Sequence, residues 1–195
     1  MCIRDRLMGS LQALGIADNT IVIFTSDHGF HLGEHDFWAK VSLRDESSGV
    51  PLIIKVPGKK PAVCHSFVEL LDLFPTTSSL CGLEVMDRLQ GKNIAKLLDD
   101  PSLEVRDTAF SVAPMRKGFL LRNREYAYIQ YGEDASGGIE LFDMKKDPQQ
   151  YTNLARKEQY KELVESFKKK MTAKLKAVRT NDLGLNYGTN RKKRG

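Results

Sequence analysis

"IVIFTSDHGFHLGEHDFWAK", residues 21–40, decides the fold and poses the functional question. It opens on a β-branched and aromatic run without alternation, which reads as a strand buried on both faces in a parallel sheet. It then delivers Asp27, His28, His31, Glu34, His35, Asp36 and Lys40 in quick succession. Packing of a strand gives no reason for such a cluster, so these groups are read for what they bind. In open α/β sheets, ligands sit outside the carboxyl ends of the strands, where loops converge without breaking the sheet. Asp27 and His28 stand at that point, and Gly29 after them permits a tight turn. A carboxylate so placed suits a hard cation, which prefers oxygen ligands. His28 reads either as a neighbouring ligand or as a donor to a bound anion. The structural alternative for Asp27 is a turn or helix N-cap, and D-H-G alone is too short to choose between them.

Further on, Trp38, the single tryptophan of the chain, lies beside Phe37 and two residues before Lys40. An ammonium near a cation is repelled unless an anion lies between them. A metal and a lysine around one pocket therefore point to an anionic substrate group, a sulfate or phosphate that both neutralise. Lys40 has the plainer reading of a surface lysine, and His31, Glu34 and His35 are read as solvated loop residues.

Working outward, residues 7–14 read as the last turns of a helix stopped at Gly15. "VPLIIKVPG", residues 50–58, is a second strand closed by Pro57 and Gly58. Helix, strand, long polar loop and strand make part of an α/β layer structure. Phe67, Leu70, Leu71 and Phe74 have the spacing of a helix packed on a sheet, kinked or restarted at Pro75. From about Asp107 the texture changes to short strands, "TAFSVA", "GFLLRN", "EYAYIQY" and "IELFDM", separated by turn residues, which predicts a small antiparallel sheet. Over residues 158–178, Tyr160, Leu163, Val164, Phe167, Met171, Leu175 and Val178 form one stripe opposite lysines, an amphipathic helix laid on that sheet. No internal repeat is evident.

The chain has 195 residues, 41% of them hydrophobic, enough for one core and a small satellite domain. Its net charge of +5 is more than supplied by seven positive residues, four in the terminal "RKKRG" and three at Lys168, Lys169 and Lys170. The basic balance thus describes the C-terminal end rather than a binding face. No surface pattern of Arg and Lys interleaved with aromatics argues for nucleic acid as a partner. Cys2, Cys64 and Cys81 form no CxxC pair, and Cys64 and Cys81 read as small buried apolar residues. No apolar run approaches the ~20 residues of a membrane span, and "MCIRDRLMGS" has no signal-peptide core. "MCIRDR" resembles a translated adapter sequence, so residues 1–6 are read as a non-native leader and the native N-terminus as missing.

Taken together, these segments resemble the sulfatases of the alkaline phosphatase-like superfamily, and most closely their iduronate 2-sulfatase-like branch. Residues 21–40 are similar to the family's strand, its D-H-G metal ligands and its G-E-H-x-x-W-x-K segment, and "VPLIIKVPG" to its next core strand. "VELLDLFPTTSSLCGL" is similar to its D-L-x-P-T helix, "LQGKNIAKLL" to its G-x-x-L-x-x-L turn, and "ELFDMKKDPQQYTNLA" to its L-Y-D-x-x-x-D-P-x-E-x-x-N-L signature. All occur in family order. The resemblance implies an α/β fold: the C-terminal part of a sulfatase catalytic domain over residues 7–106, then residues 107–180 as a small antiparallel sheet with one packed C-terminal helix, and a flexible tail over 181–195.

It also implies that Asp27 and His28 are ligands of a divalent cation, Ca2+ by family likeness, that Lys40 contacts the sulfate as a catalytic residue, and that Phe30 and Trp38 shape the substrate pocket. Imidazole is an unusual ligand for calcium, which makes Asp27 the firmer of the pair. The implied activity is sulfuric ester hydrolysis, with a sulfated carbohydrate or other sulfate ester as substrate. The alternatives are phosphate or phosphonate ester hydrolysis on the same fold, or a non-catalytic protein that binds anions or a partner. Relatives are often exported or lysosomal, but no compartment follows from these residues.

One departure stands out. The family's nucleophile is a formylglycine made from the Cys or Ser of C-x-P-S-R or S-x-P-S-R, and none of the three cysteines has that context. The nucleophile and two further acidic metal ligands are expected in a missing N-terminal half. A cation held by two protein ligands would be weak, since hard cations take six or more oxygens. An isolated fragment is expected to be inactive and, with sheet edge and apolar face uncovered, poorly soluble.

Overall fold

The computed structural model describes residues 2–113 and 117–179, so the tail over 181–195 lies outside the described residues. Helix α1 (Ile3–Ala13) is followed by Gly15 at φ 68°, the left-handed backbone a helix stop asks for. The helix begins within the six residues read as a leader, so the boundary drawn at residue 7 falls inside an element.

Strands β1 (Val22–Thr25) and β2 (Leu52–Lys55) form a two-stranded sheet in antiparallel register, from Val22 opposite Lys55 to Thr25 opposite Leu52. The parallel, doubly buried arrangement expected from the apolar run does not form among the described residues. A parallel pair needs a crossover, usually a helix of some length, and the connection here holds only a 3-10 turn (Glu34–Asp36) and the four-residue helix α2 (Asp45–Ser48). The chain instead folds back on itself. Phe24 and Ile53 sit directly opposite each other, 50% and 61% exposed.

The next segment also departs from its expected packing. A 3-10 turn (Leu70–Asp72) leads into α3 (Leu73–Leu80), and Pro75 occupies its first turn, where no backbone N–H is required. Leu70, Leu71 and Phe74 are exposed, and the buried face is Asp72, Pro75 and Thr76. The reason is polar. The Asp72 carboxylate accepts the amides of Glu69 at 2.8 Å and Lys92 at 2.7 Å, and both arms of the Arg106 guanidinium. Thr76 Oγ1 donates to the Asp72 carbonyl at 2.6 Å and accepts the Ile94 amide at 3.0 Å. Cys81 is exposed and Cys64 half-buried, so neither is the core residue its type suggested.

Strands β3 (Ala109–Val112), β4 (Gly118–Arg122), β5 (Tyr126–Tyr131) and β6 (Gly138–Asp143) form the expected antiparallel meander. Alternation sends Phe119, Leu121, Tyr128 and Leu141 to one face, where α4 (Lys161–Arg179) lays Val164, Phe167, Met171 and Leu175 on them. The Phe167 ring stacks on Tyr128, centroids 5.3 Å apart and planes 7° from parallel. The opposite face carries Leu120, Ala127, Ile129 and Phe142 and is covered by Leu43, from the long connection after β1. Gly118 makes room for this cover: a Cβ there would lie 3.0 Å from Leu43 Cδ1. Arg44 adds to the cover, its guanidinium 4.7 Å from the Phe142 centroid and bonded to Glu140 at 3.0 Å.

Each edge of the meander bonds a side chain from elsewhere in the chain. Glu69 Oε1 accepts the Phe110 amide of β3 at 2.9 Å. On β6, Asn153 Oδ1 accepts the Leu141 amide at 3.0 Å and its Nδ2 donates to the Ile139 carbonyl at 3.1 Å. No helix of the described residues is long and apolar enough to cross a membrane.

Candidate functional site

Asp27 follows β1 directly, and a local network fixes its neighbour. Ser26 Oγ donates to the His28 carbonyl at 2.6 Å, and the His28 amide donates to Asp27 Oδ1 at 3.1 Å. His28 Nδ1 lies 2.8 Å from the Gly29 carbonyl, which can only accept, so Nδ1 carries the proton. In a neutral ring that leaves the Nε2 lone pair free, 3.5 Å from Asp27 Oδ2. Two acceptors thus converge at a distance too long for a good hydrogen bond, an arrangement that a bound cation satisfies. The pair fits a divalent cation as two of its ligands; the remaining positions of a six-fold oxygen shell lie beyond it.

Gly29 is required for closeness rather than for a turn. Its amide donates to the Ser47 carbonyl at 2.9 Å, and a Cβ would sit 2.0 Å from the Glu46 carbonyl oxygen. The D-H-G backbone is therefore pressed against α2. The same short helix holds Lys40, whose carbonyl accepts the Ser47 hydroxyl.

Asp27, His28 and Lys40 line one cavity of about 680 Å3. It lies at the seam between the two sheets, lined by residues of β2, β3 and β4 and by Glu69 and Arg122. Arg122 is held by Asp45 at 3.2 Å, with its guanidinium 5.9 Å from the Phe67 centroid. The lining thus holds the carboxylate–imidazole pair and two cationic residues, Lys40 and Arg122, together with two further carboxylates, Glu69 and Asp45, the latter paired with Arg122. Glu69 and Arg122 were not legible as site residues, because only the meander's placement brings them there.

Phe30 and Trp38 do not line this cavity; they are 50% and 71% exposed. Trp38 lies over Gly33, where a Cβ would meet its ring at 3.4 Å. Glu34 accepts the Leu32 amide at 2.6 Å, and that bond holds its carboxyl below the usual range. The reading of His31 and His35 as solvated is corrected. His31 is 1% exposed and has His35 and Phe37 edge-on at 5.7 and 5.3 Å, while His35 lies 3.5 Å from Glu46. The reason is the fold-back of residues 31–39, closed by the His31 amide on the Ala39 carbonyl at 2.9 Å.

Residues 33–177 match the family described as N-sulphoglucosamine sulphohydrolase, C-terminal. The chain belongs to the sulfatase family. Its α/β architecture is that of the C-terminal region of these alkaline phosphatase-like enzymes. It is 31% identical to the ulvan-active sulfatase of Formosa agariphila over 182 residues, which cover 87% of this chain and 35% of that protein. Among solved structures, it resembles BT4656, determined in complex with its substrate D-glucosamine-2-N,6-O-disulfate, at 28% identity and a TM-score of 0.70 over 87% of this chain and 38% of that one. It also resembles the phosphonate monoester hydrolase of Agrobacterium radiobacter, at 26% identity and a TM-score of 0.75 over 91% of this chain and 39% of that one. The chain therefore spans about a third of the length of the curated sulfatases it matches.

Proposed function

We propose that this chain carries the cation-and-lysine part of a sulfate-ester hydrolase site acting on a sulfated carbohydrate. The observation that carries the reading is the convergence of Asp27, His28 and Lys40 on one cavity in a chain of the sulfatase family. Asp27 Oδ2 and His28 Nε2 hold a divalent cation of the calcium class. When bound, the cation neutralises charge on the sulfate oxygens. The Lys40 ammonium contacts the same sulfate and stabilises charge that develops on the leaving oxygen. Arg122, paired with Asp45, is part of the same lining. The exposed rings of Phe30 and Trp38, on the loop that carries the site, are assigned to the substrate beyond its sulfate. The sugar class is supported by the relatives' named substrates, ulvan and a glucosamine disulfate.

No cysteine or serine here stands in the x-P-S-R context, so a formylglycine nucleophile in this reading is supplied from outside these 195 residues. The test is therefore binding. Amide NMR of the full chain, titrated with calcium and then with 4-nitrophenyl sulfate, should show calcium shifting residues 26–29, with the ester shifting those around Lys40 only once calcium is present. Asp27→Asn should remove the calcium response and Lys40→Ala the ester response. Ester binding that survives both substitutions would overturn the reading. The likeness to a phosphonate monoester hydrolase supports a second reading, a phosphonate or phosphate ester at the same cavity. Competition decides: phenylphosphonate displacing the sulfate ester at far lower concentration would favour it.

A further inference from the structure

The loop over 31–38 and α2 bring together three ligand-type side chains that the sulfate reading does not use, His31 buried and His35 and Glu46 partly so. His31, His35 and Glu46 each offer a donor atom, and the three lie within 4.8 Å of one another. His31 Nδ1 and Nε2, His35 Nε2 and Glu46 Oε2 are all buried and, among the described residues, without a hydrogen-bond partner. A buried polar atom left so costs about 1–3 kcal/mol, and such groups are few in native proteins. Four within one contact point to something that binds there. The backbone is bent to bring them together: His35 and Asp36, neither a glycine, sit at φ 59° and 54°.

We propose that His31, His35 and Glu46 form a metal site for a zinc-class divalent ion, separate from the Asp27–His28 pair. Two imidazoles and a carboxylate are a donor set suited to zinc and its neighbours, and poorly suited to a hard cation. The spacing agrees. Bonds of ~2.0–2.1 Å put two ligand atoms on a tetrahedral zinc roughly 3.4 Å apart. His35 Nε2 and Glu46 Oε1 stand 3.5 Å apart, long for a hydrogen bond and right for two ligands of one ion. A proton shared between them would satisfy that pair and still leave both nitrogens of His31 unpartnered, whereas a metal takes one and leaves the other to a water. The ion ties residues 31–38 to α2, the helix that presses on Gly29 and grips the Lys40 carbonyl. Its role is to position the lysine and the D-H-G turn.

The experiment uses the full chain stripped by a chelator and titrated with zinc alone in excess calcium, with cobalt as a spectroscopic stand-in. One equivalent of zinc should bind, raise the unfolding midpoint and survive the calcium. The cobalt form should show d–d bands of a nitrogen–oxygen site without the near-ultraviolet thiolate band that Cys2, Cys64 or Cys81 would give. His35→Gln and Glu46→Gln should each weaken zinc at least ~10–100-fold, the range that losing even a ligand's hydrogen-bonded support brings. His31→Gln is expected to do the same, and circular dichroism identifies any variant that does not fold. Asp27→Asn should leave stoichiometry and affinity unchanged. No binding, a thiolate band, binding indifferent to both His35→Gln and Glu46→Gln, or binding lost with Asp27→Asn would each overturn the proposal.

Discussion

The four-stranded meander and the two-stranded β1/β2 ribbon are written in similar residues, yet one is the core and the other is half in water. Both contain runs of Ile, Leu, Val and Phe. The meander is covered on both faces by elements of this chain, α4 on one and the Leu43–Arg44 segment on the other. The ribbon leaves Phe24 and Ile53 facing out as a pair. Burial is therefore set by which element the chain can lay over a strand, and apolar content alone does not supply it. The candidate site sits where the two regions meet, its ligands on the loose side and part of its lining on the rigid one.

The comparison breaks most directly at the aromatic stack. Phe167→Ala should lower stability by about 3–5 kcal/mol, as deletion of a buried ring does, while Phe24→Ala should cost well under half of that; equal losses in urea unfolding would show that the ribbon is as tightly held as the meander.

The buried Asp72–Arg106 pair sharpens the same contrast electrostatically. Arg106→Ala strands a buried carboxylate and should cost about 3–5 kcal/mol. Burial pushes the Asp72 carboxyl up, but Arg106 and the amides of Lys92 and Glu69 more than offset it, and the net result is a lowered value. A depressed folded value means that this stabilisation is complete above the ordinary carboxylate range near ~4 and is lost as pH falls through the lower, folded value. Unfolding of Asp72→Asn should accordingly lose less stability than the parent between neutral and strongly acid pH. An identical acid slope would remove Asp72 from the account.

At the edge of β6, Asn153→Ala removes the partner of the Leu141 amide and the Ile139 carbonyl and, since water reaches this edge, should cost about 0.5–1.5 kcal/mol. Smallest of all is Lys40→Ala, an exposed side chain whose removal should move stability by less than ~0.5 kcal/mol. Its effect belongs to anion binding. A large thermal shift in that variant would make Lys40 a structural residue and weaken its assignment to the sulfate.

What could be read in advance follows the same division. The stripe Val164, Phe167, Met171 and Leu175 was legible because a helix on a sheet repeats its face every three or four residues, and the meander because turn residues punctuate its strands. Asp27, His28 and Lys40 were grouped from the sequence and all three line one cavity, while the roles given to them belong to the proposal. Strand sense was not legible, since an unbroken apolar run describes burial and says nothing of direction. The burial of Asp72 rather than Leu70 or Phe74 was hidden for a related reason: its partner Arg106 lies far along the chain. His31 and His35 carried one usable signal, two imidazoles four residues apart, but their companion Glu46 reaches them only through the fold-back that Gly29 permits.

Asn153 and Glu69 act as stoppers on the two outermost strands of the meander. A bare strand margin invites a second molecule to zip alongside it and seed a growing ribbon. Here Glu69 accepts one amide of β3, and Asn153 both accepts an amide and donates to a carbonyl of β6. A second copy would therefore meet these margins with some of their hydrogen-bonding groups already taken, which weakens the template that each offers, and the weakening comes from two residues that otherwise look like loop punctuation.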